Sequence, residues 1–223
     1  MDDFGFGIDF EPTAPAKAVE VEEDEQAPVE ARRSVQMLKT MDVQKRMRLL
    51  SESALDGVLP WHFEEGAAYH VISAGDVDSL TYLRHVVRQQ RCEYVILSTW
   101  CMAVADAREM LEWARRGFVR RFDFYVGEIF KDGYRGCRDV LDEICAIGGG
   151  RTARFRNHSK LMVVYGERFD CAIESSANVD TNPRTEQTCI TVSTELCDFY
   201  REYFDGINDF DRGYPDWQPW GGR

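Results

Sequence analysis

The sequence has no long hydrophobic run. No window approaches the roughly 18 consecutive apolar residues that a spanning helix needs. The first ten residues, Met1–Phe10, contain carboxylates where a secretory signal would have basic residues followed by an apolar stretch. We therefore expect a cytoplasmic protein that does not act at a membrane.

The cysteines also lack a recognisable pattern. There are seven, an odd number, and no two of them form a Cys-x-x-Cys pair. Such spacing argues against a disulfide framework and a structural zinc site, and for reduced thiols. Asp205, Asp209 and Asp211 lack the spacing of a calcium loop. We expect no metal ion and no cofactor.

Charge is unevenly distributed along the 223 residues, which carry a net charge of −12. Residues 1–30 hold ten carboxylates and one lysine, so this segment carries −9 and the remaining chain −3. With its prolines and alanines, the segment is expected to be a disordered acidic tail. It either solubilises the protein or mimics nucleic acid and covers a basic site.

Three further segments follow the tail. Residues 31–60 are predicted to be a basic helical segment, either a solvated helix or an arm that contacts phosphates or forms a dimer. Residues 61–212 are expected to be the main domain, because the composition, 44% hydrophobic, supports a buried core. Residues 213–223, rich in Trp, Pro and Gly, should be irregular.

Within the main domain, strand and helix patterns alternate and are then followed by successive strands. Helices are predicted from an N-cap at Asp76, over Ala103–Arg116 and Cys137–Ile147, and from a cap at Thr194. Gly148, Gly149 and Gly150 are expected to end the third helix. The seven predicted strands are Tyr69–Ile72, Tyr94–Leu97, Phe122–Val126, Thr152–Arg156, Leu161–Tyr165, Phe169–Ile173 and Gln187–Val192. This order predicts an α/β fold, a mixed sheet of about seven strands flanked by helices on both faces.

A group of basic residues stands out because no carboxylate lies among them: Arg151, Arg154, Arg156, His158 and Lys160. In a strand, their period of two would place the five side chains near one face. Fixed cations disfavour a charged histidine, leaving a neutral nucleophile, and they also hold a phosphoryl group. The alternative is an exposed basic edge strand with a bystander histidine.

The residues downstream favour the first interpretation. His158-Ser159-Lys160 is followed by Ser175-Ser176-Ala177-Asn178 and then by Asn182-Pro183-Arg184-Thr185-Glu186-Gln187. This order resembles the phospholipase D superfamily, whose motif is His-x-Lys, a later Asp, a Gly/Ser-Ser-x-Asn turn and then a Glu. The resemblance covers about residues 67–208, because the preceding alternation of strands and helices is also similar to that fold.

The resemblance implies a role for each matching residue. His158 would be the nucleophile that forms a phosphohistidine, and Glu186 would accept its hydrogen bond and fix its tautomer. Lys160, Asn178 and Ser176 would contact the phosphate. The expected substrate-binding residues are Ser176, Arg156, Arg154 and Ser98. Arg154 and Arg156 lie beside the motif. Ser98 lies at a strand end that either lines the site or serves packing and capping.

Two departures from the family pattern concern the motif's Asp. Its position is occupied by Tyr165, and Asp170 is the nearest aspartate that could replace it. The connection from Tyr165 to the Ser-Ser turn is also longer by about three residues, which an extended hairpin accommodates.

The chain contains only one His-x-Lys unit. His62, His70 and His85 are each followed by other residues, whereas family enzymes use two units, one His as nucleophile and one as general acid. Members with one copy resemble half-enzymes completed across a two-fold axis, which implies a homodimer.

Together these features predict a metal-independent nuclease that cleaves nucleic acid, DNA in preference to RNA, through a phosphohistidine. The alternatives are a non-catalytic nucleic-acid-binding or regulatory protein on the same fold, and a lipid phosphodiesterase.

Overall fold

The computed structural model of the protein describes residues 43–131, 134–180 and 184–222. The acidic tail at 1–30 and the start of the basic segment at 31–60 lie outside these residues. The helices are α1 Val43–Asp56, α2 Ser79–Gln89, α3 Val104–Arg115, α4 Arg135–Gly148 and α5 Thr194–Asp205, with a short 3-10 turn at Glu128–Phe130. The strands are β1 Ala68–Ser73, β2 Cys92–Thr99, β3 Phe122–Val126, β4 Thr152–Arg154, β5 Leu161–Gly166, β6 Asp170–Ser175 and β7 Glu186–Val192.

The seven described strands form one mixed sheet in the order β1-β7-β6-β5-β2-β3-β4. Strands β2, β3 and β4 are parallel neighbours, joined by α3 and α4, because parallel strands need a crossover. All other neighbouring pairs are antiparallel. The predicted α/β fold with a seven-stranded mixed sheet is confirmed.

Alternate residues along each strand supply two separate cores. Val95 and Leu97 of β2 face a core shared with buried residues of α1 to α4. Tyr94 and Ile96 face a second core, shared with Cys197 and Phe204 of α5. This period of two places helices on both faces of the sheet, as the sequence predicts.

Two predicted helix caps are wrong by one or two positions. Asp78, not Asp76, caps α2, since its carboxylate accepts a hydrogen bond from the backbone N–H of Thr81 at 3.0 Å. Ser193, not Thr194, caps α5 by accepting from the N–H of Leu196. In both cases neighbouring residues are capable caps, and the choice depends on which oxygen reaches a free N–H of the first turn.

The three glycines at the end of α4, Gly148 to Gly150, act as predicted, as a helix stop. Gly149 has a φ of 72°, in the left-handed region that favours glycine at a helix end. A Cβ on Gly150 would overlap the carbonyl oxygen of Phe122, so the chain passes very close to β3 at this point. The glycines therefore serve chain reversal and close packing.

Residues 213–222 form neither helix nor strand, but they pack on the face of the sheet that α5 covers. The ring of Trp217 lies 3.6 Å from the guanidinium of Arg151, and its Nε1 donates to the buried Asp123 at 3.1 Å. Trp220 stacks on Tyr94 with ring centroids 5.1 Å apart. The segment is irregular in backbone and firmly anchored by its side chains.

All seven cysteines are buried free thiols. Burial raises the pKa of Cys92 and Cys137 to about 12. Their thiols are therefore protonated and packed as small apolar groups at neutral pH.

Candidate active site at the strand ends

The topology brings several chain ends to one edge of the sheet. β2, β3, β4 and β6 end there, whereas β5 and β7, which are antiparallel to their neighbours, begin there. The segment 155–160 leaves β4 at the side of the sheet and crosses the ends of β3 and β2 to enter β5. It therefore carries the His-x-Lys residues across the carboxyl ends of parallel strands, where α/β sheets bind ligands.

The predicted strand Thr152–Arg156 is two residues too long, so the expected placement of the five basic side chains along one strand face is wrong. β4 ends at Arg154, and the next six residues form neither helix nor strand. Arg151 and Arg154 are buried. Arg151 donates to the hydroxyl of Tyr125 and the carbonyl oxygen of Phe204, while Arg154 pairs with Asp211. Arg154, predicted to bind substrate, thus has its guanidinium in a structural ion pair, and Arg156 is the exposed arginine of this set.

Asn157, which the sequence analysis missed, fixes the crossing segment. It is 4% exposed, and its Nδ2 donates to Ser98 Oγ at 2.9 Å and to the carbonyl oxygen of Tyr125 at 2.8 Å. Its Oδ1 accepts from the N–H of Ser159 at 3.0 Å. One buried amide therefore joins β2 and β3 to the residues on both sides of His158. A sequence signal existed, an amide directly before the His-x-Lys unit, but its partners in β2 and β3 lie more than 30 residues away.

Ser98 belongs to the same network and does not face a substrate. It is 1% exposed, and its Oγ lies 2.6 Å from that of Ser159 as well as accepting from Asn157. The prediction that Ser98 binds substrate is therefore corrected: its hydroxyl supports the segment that carries His158.

His158 and Lys160 lie side by side. His158 is exposed, and the Nζ of Lys160 lies 3.1 Å from its Nδ1 and donates to its carbonyl oxygen at 2.7 Å. The ring of Trp100, at the end of β2, has its centroid 5.8 Å from that of His158. Partial burial lowers the pKa of Lys160, while the nearby Cys101 and Glu186 act in the opposite direction. The site thus combines an accessible imidazole with a partly desolvated ammonium group.

The Ser-Ser-x-Asn turn and Glu186 lie at the same edge. The N–H of Ser175 donates to the carbonyl oxygen of Lys160 at 3.0 Å, and the hydroxyl of Ser176 donates to the carboxylate of Glu186. The half-buried Asn178 has its Oδ1 3.5 Å from the hydroxyl of Thr99. The structure therefore places Ser176, Glu186 and Asn178 on the elements that adjoin Lys160. Asn182 and Pro183 lie outside the described residues.

Tyr165, at the position of the motif's Asp, is part of the second core. It is buried, donates to Asp198 at 3.0 Å, and its ring lies 4.6 Å from that of Trp220. Burial raises its pKa well above the usual range, so the hydroxyl is neutral. Asp170 stabilises the fold instead, because its carboxylate accepts from the N–H of Gly166 and from the hydroxyl of Thr194 and so joins the β5–β6 turn to α5.

The other three histidines lie on other elements. His85 is buried in α2, with its Nε2 3.2 Å from the carbonyl oxygen of Pro60. His70 lies in β1, 3.8 Å from the thiol of Cys189, and His62 is exposed in the segment before β1. Within the described residues, no three His, Cys, Asp or Glu side chains are grouped to hold a metal ion, and no helix is long and apolar enough to cross a bilayer.

Comparison with solved structures gives likenesses in fold. A phospholipase D family member from Salmonella typhimurium has a TM-score of 0.44 at 15% identity, over 62% of this chain and 91% of that chain. NucT from Helicobacter pylori has a TM-score of 0.45 at 14% identity, over 62% and 94%. Polyphosphate kinase from Porphyromonas gingivalis has a TM-score of 0.46 at 16% identity, over 66% of this chain and 27% of that chain. No protein-family model and no curated protein sequence matches the chain.

Proposed function

We propose that this chain is a phosphodiesterase of the phospholipase D type, a nuclease that attacks nucleic-acid phosphodiesters with His158 in a site completed by a second copy of the chain. The observation that carries the proposal is the 3.1 Å approach of Lys160 Nζ to His158 Nδ1 at the edge of the sheet where the Ser176–Glu186 pair also lies. Nucleophile, cation and orienting carboxylate are the parts that phosphoryl transfer through a histidine requires.

The chemistry proceeds in two displacements. A neutral nitrogen of His158 attacks phosphorus, a P–N bond forms, and the P–O bond to the leaving nucleoside oxygen breaks. Water then attacks the phosphohistidine, which restores the imidazole and releases a phosphate monoester. Lys160 stabilises the charge on the non-bridging oxygens in both steps, with further hydrogen bonds from Asn178 and Ser176.

The leaving oxygen must receive a proton in the first step. Within the chain, His85 is buried and hydrogen-bonded, and the exposed His62 and His70 lie before and in β1, the edge strand that three strands separate from β2. We therefore assign the role of general acid to His158 of a second copy, placed across a two-fold axis. A single His-x-Lys unit then yields a complete site only in a homodimer.

Nucleic acid suits the charges around the site better than a lipid does. Arg156 is exposed beside His158, and the ammonium of Lys160 lies next to its ring. Cations in these positions can contact the phosphates of a polyanionic backbone. We propose DNA in preference to RNA, and a reaction that needs no metal ion because the positive charge is supplied by side chains.

The first experiment measures cleavage of labelled DNA and RNA in excess EDTA by the wild type, by His158→Ala, and by His62→Ala as a matched control on an exposed histidine. We expect cleavage by the wild type and by the control, and none by His158→Ala. A trapped adduct on the wild type should be labile in acid and stable in alkali. Activity that disappears in EDTA and returns with magnesium would overturn the mechanism.

The second experiment tests the shared site. Light scattering should give twice the monomer mass of 25.7 kDa. When His158→Ala replaces wild type stepwise at constant total protein and the subunits exchange, a shared site requires two intact copies, so activity should fall with the square of the wild-type fraction. A linear decrease, or an active monomer, would contradict the shared site.

A non-catalytic nucleic-acid-binding protein is the second candidate. It is favoured by Tyr165, which stands at the position of the motif's Asp and packs in the second core against Asp198 and Trp220. Binding without cleavage under every condition above would select it.

A further inference from the structure

A cavity of about 410 Å³ adjoins His158 on the α5 side of the sheet edge. Its lining is mainly aromatic, with two basic side chains: Phe155, Phe199, Tyr203, Phe204, Arg156 and His158. The reacting imidazole is therefore also part of the wall of this cavity.

The aromatic wall is exposed but firmly supported. Phe199 and Tyr203 of α5 are 64% and 59% exposed, unusually high for such large apolar rings. Behind them, Tyr200 donates to Glu174 at 2.5 Å, and the ring of Phe204 lies 4.6 Å from that of the buried Tyr125. The exposed rings thus project from a fixed layer, which lowers the entropic cost of placing a flat ligand on them.

Another part of the lining carries positive charge. Arg156 is exposed and forms no ion pair with any residue that the structure describes, and His158 with Lys160 lies beside it. The cavity therefore combines flat apolar faces with an unneutralised guanidinium. A nucleotide has the complementary division, a flat base and an anionic phosphate.

We infer that this cavity receives an unpaired nucleobase next to the phosphate that His158 attacks, so that the enzyme acts on single-stranded nucleic acid. This inference rests on the proposed function and specifies its substrate class. A base within a duplex has both faces stacked on its neighbours and cannot lie against Phe199 or Tyr203 without being unpaired. Stacking on aromatic side chains tolerates any base, so strand state and not sequence determines which phosphates are cleaved.

The test compares the wild type with Phe199→Ala and Tyr203→Ala, and with Ile147→Ala as a control. Ile147 is 47% exposed on α4, which packs on the other face of the sheet. The substrates are one oligonucleotide as a single strand, the same sequence as a duplex, and single strands with one abasic residue on either side of a defined linkage.

We expect the wild type and Ile147→Ala to cleave the single strand in preference to the duplex. An abasic residue beside the cleaved linkage should reduce the rate roughly 5- to 150-fold, the range of one lost stacking contact. Phe199→Ala and Tyr203→Ala should reduce the rate on the intact strand by a similar factor, and the abasic residue should have little further effect on them.

Equilibrium binding separates failure of this inference from failure of the proposed function. The same oligonucleotides are bound to His158→Ala and to His158→Ala combined with Phe199→Ala, so no cleavage is required. If the abasic strand binds more weakly than the intact strand to His158→Ala, but not to the double variant, the result supports the cavity. This holds even if the wild type proves inactive. Equal binding of intact and abasic strands, or a loss of the dimer on Phe199→Ala, would overturn the inference, the latter because the rings would then form a subunit interface.

Discussion

Lys160 Nζ approaches both Nδ1 and the carbonyl oxygen of His158, at 3.1 Å and 2.7 Å. A charged ammonium group has only donors, so Nδ1 must accept, and a neutral imidazole in this arrangement carries its proton on Nε2. If Nε2 is the nitrogen that attacks phosphorus in the proposed reaction, the opposite tautomer is required, with the proton on Nδ1. A phosphate that draws Lys160 onto its own oxygens leaves Nδ1 free to take a proton, and Glu186, whose charge already acts on Lys160, is the acceptor that the motif assigns. Substrate binding would thereby activate the nucleophile.

Replacement of Lys160 should separate its two effects. We predict that Lys160→Ala lowers the single-turnover cleavage rate by roughly 10²–10³-fold, the usual effect of removing one donor to a developing oxyanion. Nitrogen NMR of His158 should show mainly the Nε2–H tautomer in the wild type, and a mixture in Lys160→Ala. Arg115→Ala, which removes an exposed cation from α3, should change neither quantity. An unchanged tautomer ratio would contradict the role of this contact.

Glu186→Gln should have a smaller effect than Lys160→Ala or His158→Ala, because it disturbs orientation and leaves both the nucleophile and the cation in place. Single-turnover rates of the three variants measured side by side test this order. A loss with Glu186→Gln as complete as with His158→Ala would indicate a direct chemical role for the carboxylate.

Asn157 should matter for both stability and rate. Asn157→Ala removes the hydrogen bonds of the buried amide to Ser98 and to the carbonyl oxygen of Tyr125, and each such bond contributes about 0.5–1.5 kcal/mol. We predict lower unfolding stability in denaturant titration, and in the surviving folded fraction a reduced kcat with little change in KM, because His158 is displaced. A change in KM with kcat unaltered would show that Asn157 serves binding instead.

Asp205 should make stability depend on pH. Burial raises its pKa from 3.8, the nearby Asp123 adds to the effect, and its Oδ1 has no hydrogen-bond partner among the described residues. Its protonated form is favoured in the folded state, so this contribution is present in full below pH 3.8 and is lost as the pH rises through the folded-state pKa. Asp205→Asn, always neutral, should melt roughly 1–4 °C above the wild type at pH 7, with the difference closing in acid. Asp139→Asn, on the exposed face of α4, should show no such trend.

Deletion of residues 1–30 tests the acidic tail, which lies outside the described residues. If it covers a basic site, the shortened chain should bind nucleic acid more tightly, with a steeper dependence of affinity on salt. Fluorescence titrations at two salt concentrations measure both quantities. Unchanged affinity would leave only the solubilising interpretation.

The local sequence pattern was sufficient to predict an element whose position depends on its own residues. β3 has the predicted bounds, Phe122–Val126, because its apolar run is typical of a buried strand and all five residues are buried. Residues 155 and 156 were wrongly included in a strand because the alternating charges fit one, whereas the course of segment 155–160 is set by hydrogen bonds from Asn157 to residues 32 and 59 positions away. No short-range pattern contains that information.

The site shows the same division. That His158, Lys160, Ser176 and Glu186 lie at one edge of the sheet could be predicted from a motif, since their spacing follows the strands that carry them. The contacts of Arg154 and Ser98 could not be predicted, because each depends on a partner that the fold brings near. The partner of Arg154 is Asp211, and that of Ser98 is Ser159.

The reactivity of the buried cysteines can report which layer of the fold opens. Cys137 and Cys145 lie in α4 on one face of the sheet, and Cys197 lies in α5 on the other. A thiol that is buried and protonated reacts with an alkylating reagent only when its surroundings separate. Pulse alkylation followed by peptide mass mapping therefore distinguishes detachment of the α5 layer, which carries the aromatic rings, from release of the α4 layer, without introducing any label into the sequence.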